Sequence, residues 1–201
     1  MMIGILPKKI VIKLGSSLLT NKRGGVNKAV LKNVVKDIVW LLNSKKEVVV
    51  VSSGAISLGR GKLNLKNDLT LNESQAVAAR GQIELMTAWK NEFKKYKKQV
   101  AQILLSPSDI KNKKSSKNAM ATLENLLNFN CVPIINENDT TSTDEIKFGD
   151  NDILAAQIAV LISADHLVLL SNVDGLYKEP PKNNKNDDLV LEVNSRTKKI
   201  K

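Results

Sequence analysis

Val48 to Val51 is an unbroken run of four valines, and it constrains the fold more than any other feature of the chain. Successive side chains of a strand point to opposite faces, so four consecutive β-branched residues need apolar cover on both sides. A hairpin strand with one wet face alternates apolar with polar; this run does not. Short apolar runs recur at Ile10-Val11-Ile12, at 100–105, at 132–135 and at 167–170. Between them, apolar residues fall at helical spacing. Val30, Val34, Ile38 and Leu41 do so within 27–44, and Ile83, Met86, Trp89 and Phe93 within a long helix from about Glu73. Leu123, Leu126 and Leu127 mark a helix over 116–129, and Leu154, Ile158, Leu161 and Ile162 one over 151–163. Strand and helix alternate at least four times. This predicts an α/β fold with an open, mainly parallel sheet sandwiched between helices in three αβα layers.

The length of 201 residues suits one domain with a core of its own. An apolar fraction of 42% and a charged fraction of 25% exclude wholesale disorder. No apolar run reaches the roughly 18 residues of a membrane helix, and Met1 to Pro7 lacks the pattern of a signal peptide. Cys131 and His166 are the only residues of their kinds, so neither an internal disulfide nor a Cys/His zinc cluster can form. Both read as structural. The expectation is a soluble cytoplasmic protein with no membrane association. The net charge of +11 invites a nucleic-acid reading, but the basic residues are nearly all Lys in short scattered clusters and only 3% of residues are aromatic. Arg and stacking aromatics are what such surfaces favour, so no specific nucleic-acid partner is expected.

In parallel sheets, ligands bind beyond the carboxyl ends of the strands. Here those ends carry Lys13-Leu14-Gly15-Ser16-Ser17, Ser52-Ser53-Gly54-Ala55, Asn136-Glu137-Asn138-Asp139 and Ser171-Asn172-Val173-Asp174-Gly175. The two Gly-Ser turns let backbone amides approach a phosphate, although Gly at such a turn is often only a turn. Neither is a Walker A loop, because Arg60 and Gly61 stand where Lys and Ser/Thr are required, and no G-x-G-x-x-G fingerprint occurs. Lys13, directly after the first strand, reads either as a snorkelling surface residue or as a cation bridging a transferring phosphoryl group. Six of the 20 acids lie between Glu137 and Asp152: those two with Asp139, Asp144, Glu145 and Asp150. A helix N-terminus explains one of the pair Asp150 and Asp152. The remainder suit a substrate ammonium group, a Mg²⁺–nucleotide, or both.

In order and spacing, these segments resemble the glutamate 5-kinases, a branch of the amino-acid kinase family. The resemblance is carried by 11–17, by 52–56, by Ala79-Arg80-Gly81-Gln82, by 132–139, by 145–152 and by 169–177, and it runs from about residue 8 to 178. It implies transfer of a phosphoryl group from ATP, with Mg²⁺, to the γ-carboxylate of L-glutamate, the first step of proline biosynthesis. By the same resemblance Lys13 and Asp152 are catalytic, and Lys13, Gly15, Ser171 and Asn172 bind the nucleotide. Ser53, Gly54, Asp139 and Asn151 hold glutamate, with the Asp taking its α-ammonium and Asp152 orienting the lysine. A homo-oligomer is expected on the same ground. The required chemistry is modest, because a carboxylate is already ionised at pH 7 and needs positioning and charge neutralisation rather than a general base.

One family feature is missing. The Gly-Thr-Gly-Gly nucleotide loop and its following lysine have no counterpart, since no glycine occurs after Gly175. The expected organisation is therefore a C-terminally truncated kinase domain over 1–178, with a basic, loosely held Asn/Lys-rich tail over 179–201. No RNA-binding-like domain is expected to follow it. Activity of the 201-residue chain is expected to be poor. The alternatives are a non-catalytic remnant that binds glutamate or a partner subunit, and a different member of the same family.

Overall fold

The computed structural model describes residues 8–21, 23–141, 151–177 and 189–193. In chain order the elements are β1 (Lys9–Leu14), α1 (Ser16–Leu19), α2 (Lys28–Asn43), β2 (Glu47–Ser52), α3 (Ala55–Leu63) and α4 (Leu71–Lys94). They continue with β3 (Gln99–Leu105), α5 (Pro107–Lys111), α6 (Lys113–Asn128), β4 (Cys131–Glu137), α7 (Asn151–Leu161), β5 (His166–Leu170), β6 (Leu176–Tyr177) and β7 (Leu189–Val190). The chain divides into two units, Met1–Leu170 and Ser171–Lys201. In the second, β6 and β7 pair antiparallel, and most of the predicted tail lies outside the described residues.

The first unit is built on five parallel strands in the order β3-β4-β2-β1-β5. The valine run sits at its centre and is covered on both faces, as expected. Val48 and Val50 pack with Leu31, Ile38, Trp89 and Phe93 on one side. Val49 and Val51 pack with Leu123, Leu154 and Ile158 on the other. Burying a side chain of this size contributes about 1.5–3 kcal/mol, so these two layers outweigh any local propensity in fixing the strand. The outer strands β3 and β5 keep exposed positions, including Val168 and Leu169. Among the described residues no helix is long and apolar enough to cross a membrane.

Capping sets several helix starts. Thr70 and Glu73 form a reciprocal capping box at α4, and Asn27 and Asn112 accept from first-turn amides of α2 and α6. The structure corrects the reading of α4. Its buried stripe is Val77, Gly81, Leu85, Trp89 and Phe93, at four-residue spacing, whereas Ile83 is 63% exposed. Two residues before Leu85 is about 200° around the helix, which places Ile83 on the opposite face. Gly81 belongs to the stripe because α3 and α4 touch through their backbones. A Cβ there would lie 1.8 Å from the Ala55 carbonyl oxygen, and one on Gly59 2.0 Å from that of Val77. The short helices α1, α3 and α5 carry too few apolar periods to be legible in the sequence, and α3 holds two glycines.

Candidate active site

The carboxyl ends of β1, β2 and β4 converge on a cleft of about 320 Å³. Ser16 lines it after β1, Ser53 to Ser57 after β2, Asn136, Glu137 and Asp139 at the end of β4, and Asn151 at the start of α7. Four residues expected to hold substrate, Ser53, Gly54, Asp139 and Asn151, are thus brought together here. Gly54 is the N-cap of α3 with φ +112°, a backbone conformation that a side chain would strain. Its turn aims the first amides of α3 at the cleft, where they favour an anion. The Ser53 hydroxyl is buried and, among the described residues, has no hydrogen-bond partner. A buried donor of this kind is costly unless a ligand completes it.

A chain of amides shapes the floor. Asn151 Nδ2 donates to the Ser52 carbonyl at 3.2 Å and to Asn136 Oδ1 at 2.7 Å. Asn136 Nδ2 in turn donates to Gln82 Oε1 at 2.8 Å. Trp89 Nε1 donates to Ser52 Oγ at 2.9 Å, anchoring the end of β2 from below. Asn136 and Gln82 carry no role in the sequence reading, although both lie in the segments that carry the resemblance. The missing signal was spatial, because 54 residues separate them.

The acidic side is electrostatically strained. Burial, together with the neighbouring charge of Glu137, pushes Asp139 up to about 6. A ligand ammonium group here would relieve both causes at once. Asp144, Glu145 and Asp150, the rest of the predicted acidic cluster, lie outside the described residues. Among the described residues no group of three His, Cys, Asp or Glu stands ready to hold a metal.

Lys13 does not follow the first strand, as the sequence suggested, but is its fifth residue, because Leu14 extends the pairing with Ser52 and Leu170. Its Nζ lies 2.5 Å from Asp152 Oδ1, with the lysine side chain 9% exposed and the aspartate 38%. Neither residue lines the cleft itself, although Asp152 adjoins Asn151. The Gly15 amide, expected as a phosphate donor, instead donates to the Leu170 carbonyl at 3.2 Å, leaving the amides of Ser16 and Ser17 at that turn. Ser171 and Asn172 belong to the second unit, exposed and hydrogen-bonded to each other at 3.5 Å. Cys131 opens β4 half-buried with its thiol pushed up by burial, and His166 is exposed on β5.

A parallel sheet whose strand ends close on a cleft of carboxylates, amides and a helix N-terminus defines the class: an α/β protein with a polar cleft at the carboxyl end of its sheet. The chain belongs to the amino acid kinase family, whose model matches residues 8–198. It is 47% identical over 194 residues to the glutamate 5-kinase of Pelagibacter ubique (strain HTCC1062), covering 96% of this chain and 53% of that protein. It is 49% identical over 174 residues to that of Agrobacterium fabrum (strain C58 / ATCC 33970), covering 86% of this chain and 45% of the other. The chain therefore spans about half the length of the curated relatives it matches. Among solved structures, the UMP kinase of Bacillus anthracis superposes with a TM-score of 0.60 at 19% identity, over 90% of this chain and 71% of that one. That likeness concerns the fold alone.

Proposed function

We propose that this chain serves phosphoryl transfer from ATP to the γ-carboxylate of L-glutamate, giving L-glutamyl 5-phosphate. The single observation that carries the reading is the cleft, where Asp139 and Glu137 face the α3 N-terminus and the Ser53 hydroxyl across about 320 Å³. A zwitterionic amino acid fits such a site in one orientation, with its ammonium on the carboxylates and a carboxylate on the amides and hydroxyl. The relatives named glutamate 5-kinase support the choice of glutamate among amino acids.

Lys13 suits the phosphoryl side of the reaction. Asp152 fixes its ammonium at the end of β1, where the first amides of α1, those of Ser16 and Ser17, add donors. A fixed cation and oriented amides meet the developing charge on a transferring phosphoryl group without reorganisation. ATP, when bound, supplies that group. Mg²⁺ would arrive on its phosphates, the usual mode for this ion. Nucleotide contacts by Ser171 and Asn172, a kinase domain over 1–178, a cytoplasmic setting and a homo-oligomeric assembly belong to the same proposal.

Calorimetric titration with L-glutamate, L-aspartate and D-glutamate tests the substrate half. Saturable binding of L-glutamate, at least ~10-fold tighter than the other two, is expected from the oriented charge pairs. Equal affinity for all three, or none for L-glutamate, overturns the reading. Hydroxylamine trapping of acyl phosphate in the presence of ATP then measures transfer separately from binding.

A further inference from the structure

Beside the cleft lies a second and larger cavity, of about 490 Å³. Arg23, Arg60 and Lys66 line it together with the side-chain amides of Asn21 and Asn64, and no carboxylate does so among the described residues. The chain has four arginines against 27 lysines, so two of its four arginines reach one cavity. A Lys-rich composition spreads lysines over any surface. It does not gather the scarce guanidiniums, whose planar forks suit oxyanions.

The cavity is also held in shape. The Thr20–Val26 bridge closes a short loop that packs backbone to backbone on α3, where a Cβ on Gly61 would lie 2.2 Å from the Gly24 carbonyl oxygen. Asn21 Oδ1 accepts from the amides of Arg23 and Gly25 at 2.9 and 3.1 Å, which orders the segment that carries Arg23. Arg60 Nη2 donates to the Asn67 carbonyl at 2.5 Å, fixing the guanidinium and leaving its remaining donors. None of the three cations forms an ion pair with a described carboxylate.

We propose that this cavity is a binding site for a small phosphate-bearing anion of two or more charges, adjoining the glutamate cleft, with which it shares Ser57 and Arg60. Donors arrive from three segments, the loop before α2, α3 itself and the loop after it. That suits the tetrahedral oxygens of phosphate, whereas one guanidinium fork already satisfies a planar carboxylate. The site does not depend on the function proposed above.

The test is calorimetric titration of the full chain with pyrophosphate, free of divalent metal, at ~150 mM salt to screen long-range attraction. Wild type is expected to bind saturably at one site. The double variant Arg23→Gln/Lys66→Gln, which spares every residue of the glutamate cleft, is expected to lose at least ~10-fold in affinity. The variant Lys94→Gln/Lys97→Gln removes two charges from a separate, lysine-lined cavity and is expected to bind as wild type does. Ribose 5-phosphate against pyrophosphate distinguishes an organic phosphate from a free oxyanion as the source. Absence of saturable wild-type binding to both probes, or equal loss in the two variants, overturns the site. Citrate binding as tightly as pyrophosphate overturns the assignment to phosphate. Unchanged far-ultraviolet dichroism of both variants separates lost binding from lost folding.

Discussion

Asp152 Oδ1 and Lys13 Nζ stand 2.5 Å apart, but the two partners meet solvent very differently, the lysine side chain being 9% exposed and the aspartate 38%. Charge removal should therefore cost unequally. Asp152→Asn leaves an ammonium in a poorly solvated place and should destabilise the fold by about 1–2 kcal/mol, less than for a fully buried pair because water reaches the aspartate. Lys13→Met keeps the apolar stem and takes the cation from Asp152 Oδ1, a buried atom of a carboxylate whose remainder meets water, so it should cost about 1 kcal/mol, less than Asp152→Asn. Urea unfolding of the two variants checks the order. If Lys13→Met is the more damaging change, the lysine is not the strained partner.

The contact between α3 and α4 carries a steeper prediction. Gly81→Ala pushes a methyl group into the Ala55 carbonyl at 1.8 Å, a backbone atom that cannot swing away. The helices must separate, disturbing the α3 N-terminus at the cleft. A loss of about 3 kcal/mol or more is expected, well above the ordinary surface glycine substitution. Gly175→Ala is the control, since its nearest neighbour is the mobile end of a leucine side chain at 3.1 Å. Equal midpoints for the two variants in thermal unfolding would refute the close packing.

Much of this was legible from the residues. The valine run and its neighbours announce a parallel sheet because each strand there needs cover on both faces, and their shortness and β-branched content, not their period, separate such runs from buried helices. The edge strands were legible as strands but not as edges, since position in a sheet leaves no local mark. Ile83 lies off the buried face because apolar identity does not by itself fix burial, and an isolated exposed isoleucine is ordinary. At the cleft, Ser53 and Gly54 stand out as small residues at a strand end and Asp139 as one of a run of acids, whereas Asn151 is marked only by the resemblance. Gln82 does not, because its place depends on α4 bringing it within hydrogen-bond reach of Asn136 in β4, which no spacing reports.

Gln82 therefore offers a test of the amide chain. It touches Asn136 and does not line the cleft, so any effect on glutamate must pass through Asn136 and Asn151. Gln82→Leu removes the acceptor of a buried N–H and should destabilise by about 1–2 kcal/mol while weakening glutamate several-fold. Gln82→Glu retains an acceptor and should restore the affinity. Should both variants bind glutamate as wild type does, the chain of amides is only structural.

The most direct prediction concerns pH. Burial and the charge of Glu137 raise Asp139 to about 6, so the folded chain holds that proton more tightly than the unfolded chain, where an aspartate titrates near ~3.9. The group thus favours folding fully below about pH 4, and this contribution is lost as pH rises through about 6. Asp139→Asn removes the cost of ionising a buried carboxylate. It should be more stable than wild type at pH 7, with the difference fading below pH 4. A ligand ammonium reverses the preference, because it binds the ionised form. Glutamate affinity in wild type should hence fall as pH drops below 6, by up to about tenfold per pH unit, the slope of one linked proton. Paired measurements of unfolding and of glutamate binding between pH 4 and 8 follow both effects in one buffer series. Glutamate binding that stays flat from pH 5 to 7.5 would remove Asp139 from the ammonium site.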